Sequence, residues 1–198
     1  MIAASPVLDA FRPNRHNTCI EVLMLAYVFV ALGILVHVVG AGMTYGFTPL
    51  GASLLFFGAN RSRKEFLFLL PALIGADIYL NYRVYGHALQ PDQWFIFGWY
   101  LGACFLGYLI KGKIRPMYVG LASLALSVTF FLVSNFAVWA VWNMYPRTFS
   151  GLIAAYVAAI PFFQKGLGSD LLFSAVFFSV PVVAAHFSRA AEQRRTAI

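Results

Sequence analysis

The sequence predicts an all-α polytopic transmembrane bundle of about six spans, with a re-entrant or interfacial helix before the last one. Three observations point there. The chain has 198 residues, of which 61% are apolar and only 11% charged, against about 25% charged in an ordinary soluble domain. Several apolar runs approach the roughly 20 residues needed to cross a bilayer. Basic residues fall in short clusters between those runs, so the formal charge of +7 marks loops at a membrane surface and excludes nucleic-acid binding as its explanation.

In chain order, residues 1–18 form a polar arm with Arg12 and Arg15. They lack an early apolar core and a small-residue cleavage site, so the first span is expected to act as its own insertion signal. That span covers 20–43. A turn at Gly46, Thr48 and Pro49 leads to a second apolar run over 49–59. Eleven residues are too few to cross a bilayer; the run either begins earlier, at Thr44, or is a half-helix buried in the bundle. Arg61, Arg63 and Lys64 follow. Span three covers 66–80, and a polar loop over 81–92 carries Tyr82, Arg83, Tyr85 and His87. Span four covers 93–110 and closes on Lys111, Lys113 and Arg115; span five covers 117–142. The stretch after it contains Pro146, Pro161, Gly166 and Gly168. Proline removes a backbone donor and clashes one turn back, so 151–163 is expected to be re-entrant or packed near the outer face, and 167–187 to be span six. The domain reading is an arm over 1–18, a transmembrane domain over 19–188 and a basic tail over 189–198. Cys19 and Cys104 fall at opposite ends of their spans, so no disulfide is expected between them.

With a cytoplasmic N-terminus and six alternating spans, eleven of the fourteen Lys and Arg residues lie inside. Arg83, Arg147 and Lys165 lie outside. The positive-inside rule therefore places both termini in the cytoplasm. The same topology gathers the unusual polar residues beneath the outer rim. Asp77 and Asn81 end span three; Asn135, Trp139, Asn143, Tyr145 and Arg147 surround the end of span five; Asp170 begins span six. These eight are the candidate ligand-binding residues, with 142–163 as a gate.

Each candidate has a plainer reading. Asp77 either lines a site or sits wet at the interface, because an intramembrane acid is costly and rarely idle. Asp170 either lines the site or caps a helix start. Arg147 either pairs with an acid, binds an anionic group or is a solvated loop residue. Asn135, a polar amide in an apolar helix, needs a partner, and either lines the site or bonds a neighbouring helix. His37, mid-span, is either a metal or pigment ligand or a hydrogen bond to a neighbouring helix. Gly98 and Gly102 form a GxxxG pair in span four, with Gly107 further on, and Gly151, Ala155 and Ala159 repeat at the same spacing; such faces let helices approach closely, either within the bundle or against a partner subunit. No HExxH, paired-cysteine cluster, GxSxG or phosphate-cradling loop is present. No catalytic residue and no dedicated metal site is therefore expected, and the sequence leaves any cofactor, and a ligand role for His37, open.

Two resemblances add to this reading. Thr48-Pro49-Leu50-Gly51-Ala52 with Leu55-Phe56-Phe57-Gly58-Ala59 is similar to the opening of an uncharacterised family of small bacterial membrane proteins. So are Ser134-Asn135-Phe136-Ala137-Val138-Trp139, Met144-Tyr145-Pro146-Arg147-Thr148, Ile160-Pro161-Phe162-Phe163 and Gly168-Ser169-Asp170-Leu171. More distantly, the layout resembles the S-components of energy-coupling-factor vitamin transporters. That resemblance implies a small-molecule-binding subunit of the bacterial inner membrane, driven by a transmembrane coupling protein and two ATPases. Where S-components carry a small-residue docking face on the first helix, this chain reads Gly33, His37, Ala41. The expectation is a substrate-binding membrane subunit and not an enzyme. The alternative is an accessory subunit of a larger redox or photosynthetic complex, contacting partner helices, lipid or pigment.

Overall fold

The computed structural model describes residues 15–41 and 46–196, with side chains described over 22–41, 46–187 and at 193. Over these residues the protein is all-helical: α1 (Arg15–Val39), α2 (Leu50–Asn60), α3 (Arg63–Tyr79), α4 (Gln93–Leu109), α5 (Pro116–Val141) and α6 (Phe149–Thr196). Four stretches, Val22–Val39, Arg63–Val84, Pro116–Val141 and Phe149–Phe187, are long and apolar enough to cross a membrane. The expected arm over residues 1–14 and the Thr44 start considered for the second run lie outside the described residues. Arg15 to Thr18 already belong to α1, and the expected basic tail continues α6 as far as Thr196.

The bundle is built around α2. A helix that is apolar on every face has to be buried on every face, and every residue from Leu50 to Ala59 is buried. Its 11 residues are about 16 Å long, half a hydrocarbon layer, which makes it the buried half-helix of the two readings above. Phe56 packs edge-on against Phe29 of α1 and Phe178 of α6, at ring distances of 5.1 and 5.0 Å. Phe57 meets Tyr27 of α1 and Phe66 of α3. On the α4 side there is no side chain between the backbones. A Cβ at Gly58 would lie 1.9 Å from the Cys104 carbonyl oxygen, and one at Gly107 would lie 2.1 Å from that of Leu55.

The glycines that pack are therefore Gly58 and Gly107. The GxxxG pair Gly98 and Gly102 faces outward, with open space at both Cβ positions. The other small-residue stripe turns inward: Gly151 and Ala155 are buried, and Gly151 lies against the Pro146 backbone.

The expected break before the last span is absent. Residues 149–196 are one helix of 48 residues with Pro161 and Pro181 inside it. A proline costs a helix interior about 3 kcal/mol. Breaking the helix within lipid would instead leave several backbone groups unpaired, at several kcal/mol each, so the continuous helix wins. No re-entrant segment separates 151–163 from the last span. The apolar stretch Phe149–Phe187 has 39 residues and is about 58 Å long, which exceeds the ~30 Å hydrocarbon core even at a tilt of about 40°. The exposed pair Gln164 and Lys165 interrupts it.

Neighbouring contacts show that the helices alternate in direction. Phe29 of α1 meets Phe56 while Gly33 meets Leu50 and Ser53; Trp99 bonds Thr129 while Phe95 meets Phe136. The turns at 60–63 and 110–116 thus share one end of the bundle, with Arg61, Arg63, Lys64, Lys111, Lys113 and Arg115. A polar knot ties that end together. Glu65 accepts from the Ser62 backbone N–H (3.1 Å), from the Ser62 hydroxyl (2.7 Å) and from the Tyr27 hydroxyl (2.6 Å), and it pairs with Arg61. Lys111 Nζ donates to the Arg61 carbonyl at 2.9 Å. Glu65 thereby closes the capping box of α3 and holds α1 to it. Partial exposure weakens the ion pair, so Glu65→Ala is expected to cost about 1–2 kcal/mol and Glu65→Gln about half of that. Thermal unfolding in detergent measures both, and a Glu65→Ala protein as stable as the parent would exclude this role.

Candidate functional site

At the other end, above the N-terminus of α2, the helices enclose a cavity of about 610 Å³. It exists because α2 is short: the upper half of the bundle has a ring of helices and no central one. All six helices contribute to its wall, together with the turn at Gly46 and Thr48. Four of the eight sequence candidates line it: Asp77, Asn81, Asn135 and Asp170.

Asp77 is 5% exposed and bridges three helices. Its Oδ2 accepts from the Tyr100 hydroxyl of α4 at 2.9 Å, and its Oδ1 lies 3.1 Å from His37 Nε2 of α1. The wet-interface reading of Asp77 is thus replaced by a buried triad. His37 makes the bond to a neighbouring helix that was one of its two readings. Asn81 follows one turn later and donates to the Asp77 carbonyl at 2.8 Å. It sits where α3 widens into a π-turn over Leu80–Val84, a distortion that recurs at functional sites. The π-turn carries α3 past the predicted end of span three, to Val84.

Asp170 lies in the middle of α6 and caps no helix start, because no helix starts there. It is 9% exposed. Oδ2 accepts from the Ser127 hydroxyl of α5 at 2.7 Å. Oδ1 approaches the first turn of α2, where a Cβ on Gly51 would lie 2.6 Å away. Glycine at 51 therefore makes room for the carboxylate, and the positive end of the α2 dipole favours its charge there. The adjacent Ser169 hydroxyl donates to the Thr48 carbonyl at 2.7 Å, fixing α6 to the turn before α2. Asn135 uses its amide nitrogen on the Phe131 carbonyl, 2.7 Å away in its own helix. The expected interhelical partner is not the one it takes.

The other four candidates lie elsewhere. Trp139 donates to the Pro146 carbonyl at 2.9 Å, and Arg147 stands over the Trp139 ring at 5.9 Å. Asn143 and Arg147 are exposed and Tyr145 is half-buried. Among the described residues neither Arg147 nor Tyr145 reaches an acid. The reason is geometric: continuation of α6 places the connection 142–148 beyond the cavity, folded on itself. From the expected gate only Ala159, Phe162 and Phe163 reach the wall.

Sequence reasoning missed Tyr100, Ser127 and Gly51. A signal for the hydroxyls existed. A buried acid needs donors, and few hydroxyls lie within the apolar spans. The aromatic wall is formed by Trp99, Phe130, Phe131, Phe162 and Phe163. Among the described residues no group of three or more His, Cys, Asp or Glu gathers to hold a metal ion. The described free cysteine, Cys104, is buried in the core.

Fold and cavity together define an integral-membrane helical bundle with a polar-anchored, aromatic-walled chamber in one half of it. Residues 14–192 match the model of a family of unknown function, DUF6580, and the chain belongs to that family. No curated protein and no solved structure matches it.

Proposed function

We propose that the protein is the substrate-binding integral membrane subunit of a small-molecule transporter, in the manner of energy-coupling-factor S-components. The observation that carries this reading is the 610 Å³ cavity. Its size falls within the roughly 300–1,000 Å³ of small-ligand sites, and it combines an apolar aromatic wall with a few converging polar groups, as such sites do. The basic turns lie at the end opposite the cavity. By the positive-inside rule that end is cytoplasmic, so the chamber opens towards the outside of the bacterial inner membrane and both termini lie within the cell. Asp77, Asn81, Asn135 and Asp170 anchor the ligand, and the role is binding, without catalysis.

Energisation requires a coupling subunit and its ATPases. The first-helix face is not free to dock them. Gly33 packs on Leu50 and Ser53, His37 bonds Asp77, and Ala41 lines the cavity. The outward face of α4 is open instead, with bare Gly98 and Gly102 beside Trp94, which is 69% exposed. That same face favours the second reading, an accessory subunit packed against a larger redox or photosynthetic complex. Gentle extraction distinguishes them: co-purified ATPases favour transport, and co-migration with such a complex favours the accessory role. The direct test is native mass spectrometry of the protein from its own host. A retained small molecule is expected, and adding it back at about 100 times its Kd should stabilise the protein by about 2.7 kcal/mol.

A further inference from the structure

The charges around the cavity have one sign. Asp77 and Asp170 both line it, and among the described residues no lysine or arginine does. His37 faces Asp77, so a protonated His37 offsets that carboxylate and leaves Asp170 in excess. A neutral His37 leaves two. The other local positive feature, the N-terminus of α2, is already taken by Asp170. The acidic side chains of the chamber thus outnumber its basic ones among the described residues. Asp170 also has an oxygen to spare: Oδ2 is held by Ser127, while Oδ1 accepts no hydrogen bond among the described residues and lies beside Gly51, and both residues line the cavity. A buried carboxylate without a cation is costly. The wall includes packed rings, Phe131 against Phe163 at 4.9 Å and Trp99 against Phe130 at 4.7 Å, and aromatic rings attract cations.

We infer that the ligand is an organic cation, an ammonium or charged nitrogen heterocycle on an apolar ring-containing body. Its charge is seated against the Asp170 carboxylate and its body against the aromatic wall. The inference rests on the capture reading above and narrows its substrate class. An anion would meet two carboxylates and no cationic side chain. A neutral molecule would offer Asp170 no charge beyond what Ser127 and the α2 N-terminus already supply.

The test has two parts. The full-length protein is purified from its host membranes and the retained molecule is identified by native mass spectrometry. Binding of tryptamine, tryptophol and indole-3-propionate is then measured. These share one indole body and differ in carrying an ammonium, a hydroxyl or a carboxylate. A retained cation is expected, with tryptamine binding more tightly than either analogue. Asp170→Asn keeps an oxygen for Ser127 and removes the charge, and it should weaken tryptamine about 50-fold and tryptophol much less. Should that variant fail to fold, the charge series on the unmodified protein decides alone. A retained anion or neutral molecule, or no preference for tryptamine, overturns the cation assignment and leaves capture standing. An empty protein that binds none of the three overturns capture itself, and the cation assignment with it.

Discussion

Gly58→Ala is expected to destabilise the protein by about 3 kcal/mol or more, and Gly107→Ala by a similar amount. Inserting a methyl group into a well-packed core costs about 1–3 kcal/mol, occasionally more. Both sites belong at the upper end, because each new Cβ meets a backbone carbonyl at 1.9 or 2.1 Å rather than the tip of a movable side chain. Only separation of α2 from α4 relieves the clash. Separation is expensive here because α2 is buried from Leu50 to Ala59 and is packed by other helices on its remaining sides. Gly98→Ala and Gly102→Ala, in the same helix and of the same chemistry, place their methyl groups in open space and should change stability by less than about 0.5 kcal/mol. Chemical unfolding in detergent compares all four. Equal effects at the four positions would mean that the α2–α4 contact is not the one described.

This contrast also shows how far the sequence could be read. That α4 used a glycine face was legible; which glycines formed it was not. The GxxxG spacing of Gly98 and Gly102 is a local pattern, whereas Gly107 matters only because Gly58 comes to meet it from another helix. The same division holds at the cavity. Asp77, Asn81, Asn135 and Asp170 stand out against apolar surroundings, and alternating helix directions bring them to one height. Arg147 and Asn143 stand out equally but remain at the surface, because proximity in sequence to a helix end does not fix the direction of the connection. The largest misreading concerned Pro161 and Gly166 to Gly168. Judged by their behaviour in water these residues end a helix; lipid offers a broken backbone no partners, and the helix runs through. After such a break Asp170 would cap a helix start; in the continuous helix it is a mid-helix group facing inward. The buried half-helix was legible from composition alone, since LGASLLFFGA has no polar face to turn towards solvent.

Asp77→Ala is expected to cost about 2–3 kcal/mol and to weaken ligand retention as well. Two donors converge on this carboxylate from different helices, Tyr100 from α4 and His37 from α1. Tyr100 is 3% exposed, so little solvent reaches its hydroxyl once the acceptor is gone. An orphaned buried group costs about 1–3 kcal/mol, whereas hydrogen bonds between membrane helices contribute on average about 0.6 kcal/mol. The larger figure applies to Asp77→Ala, because it strands both partners at once. The smaller applies to Tyr100→Phe, which strands neither a charge nor a second donor. A double-mutant cycle separates these effects. Asp77→Ala and Tyr100→Phe should be non-additive by about 1 kcal/mol, because the second change removes the group that the first left unpaired. Asp77→Asn keeps an acceptor for Tyr100 and should recover most of the stability. If the two substitutions instead add within about 0.3 kcal/mol, the triad does not hold α1, α3 and α4 together. The wall of the chamber would then depend on the aromatic packing around Trp99 and Phe130, and stability would respond to changes there and not at Asp77.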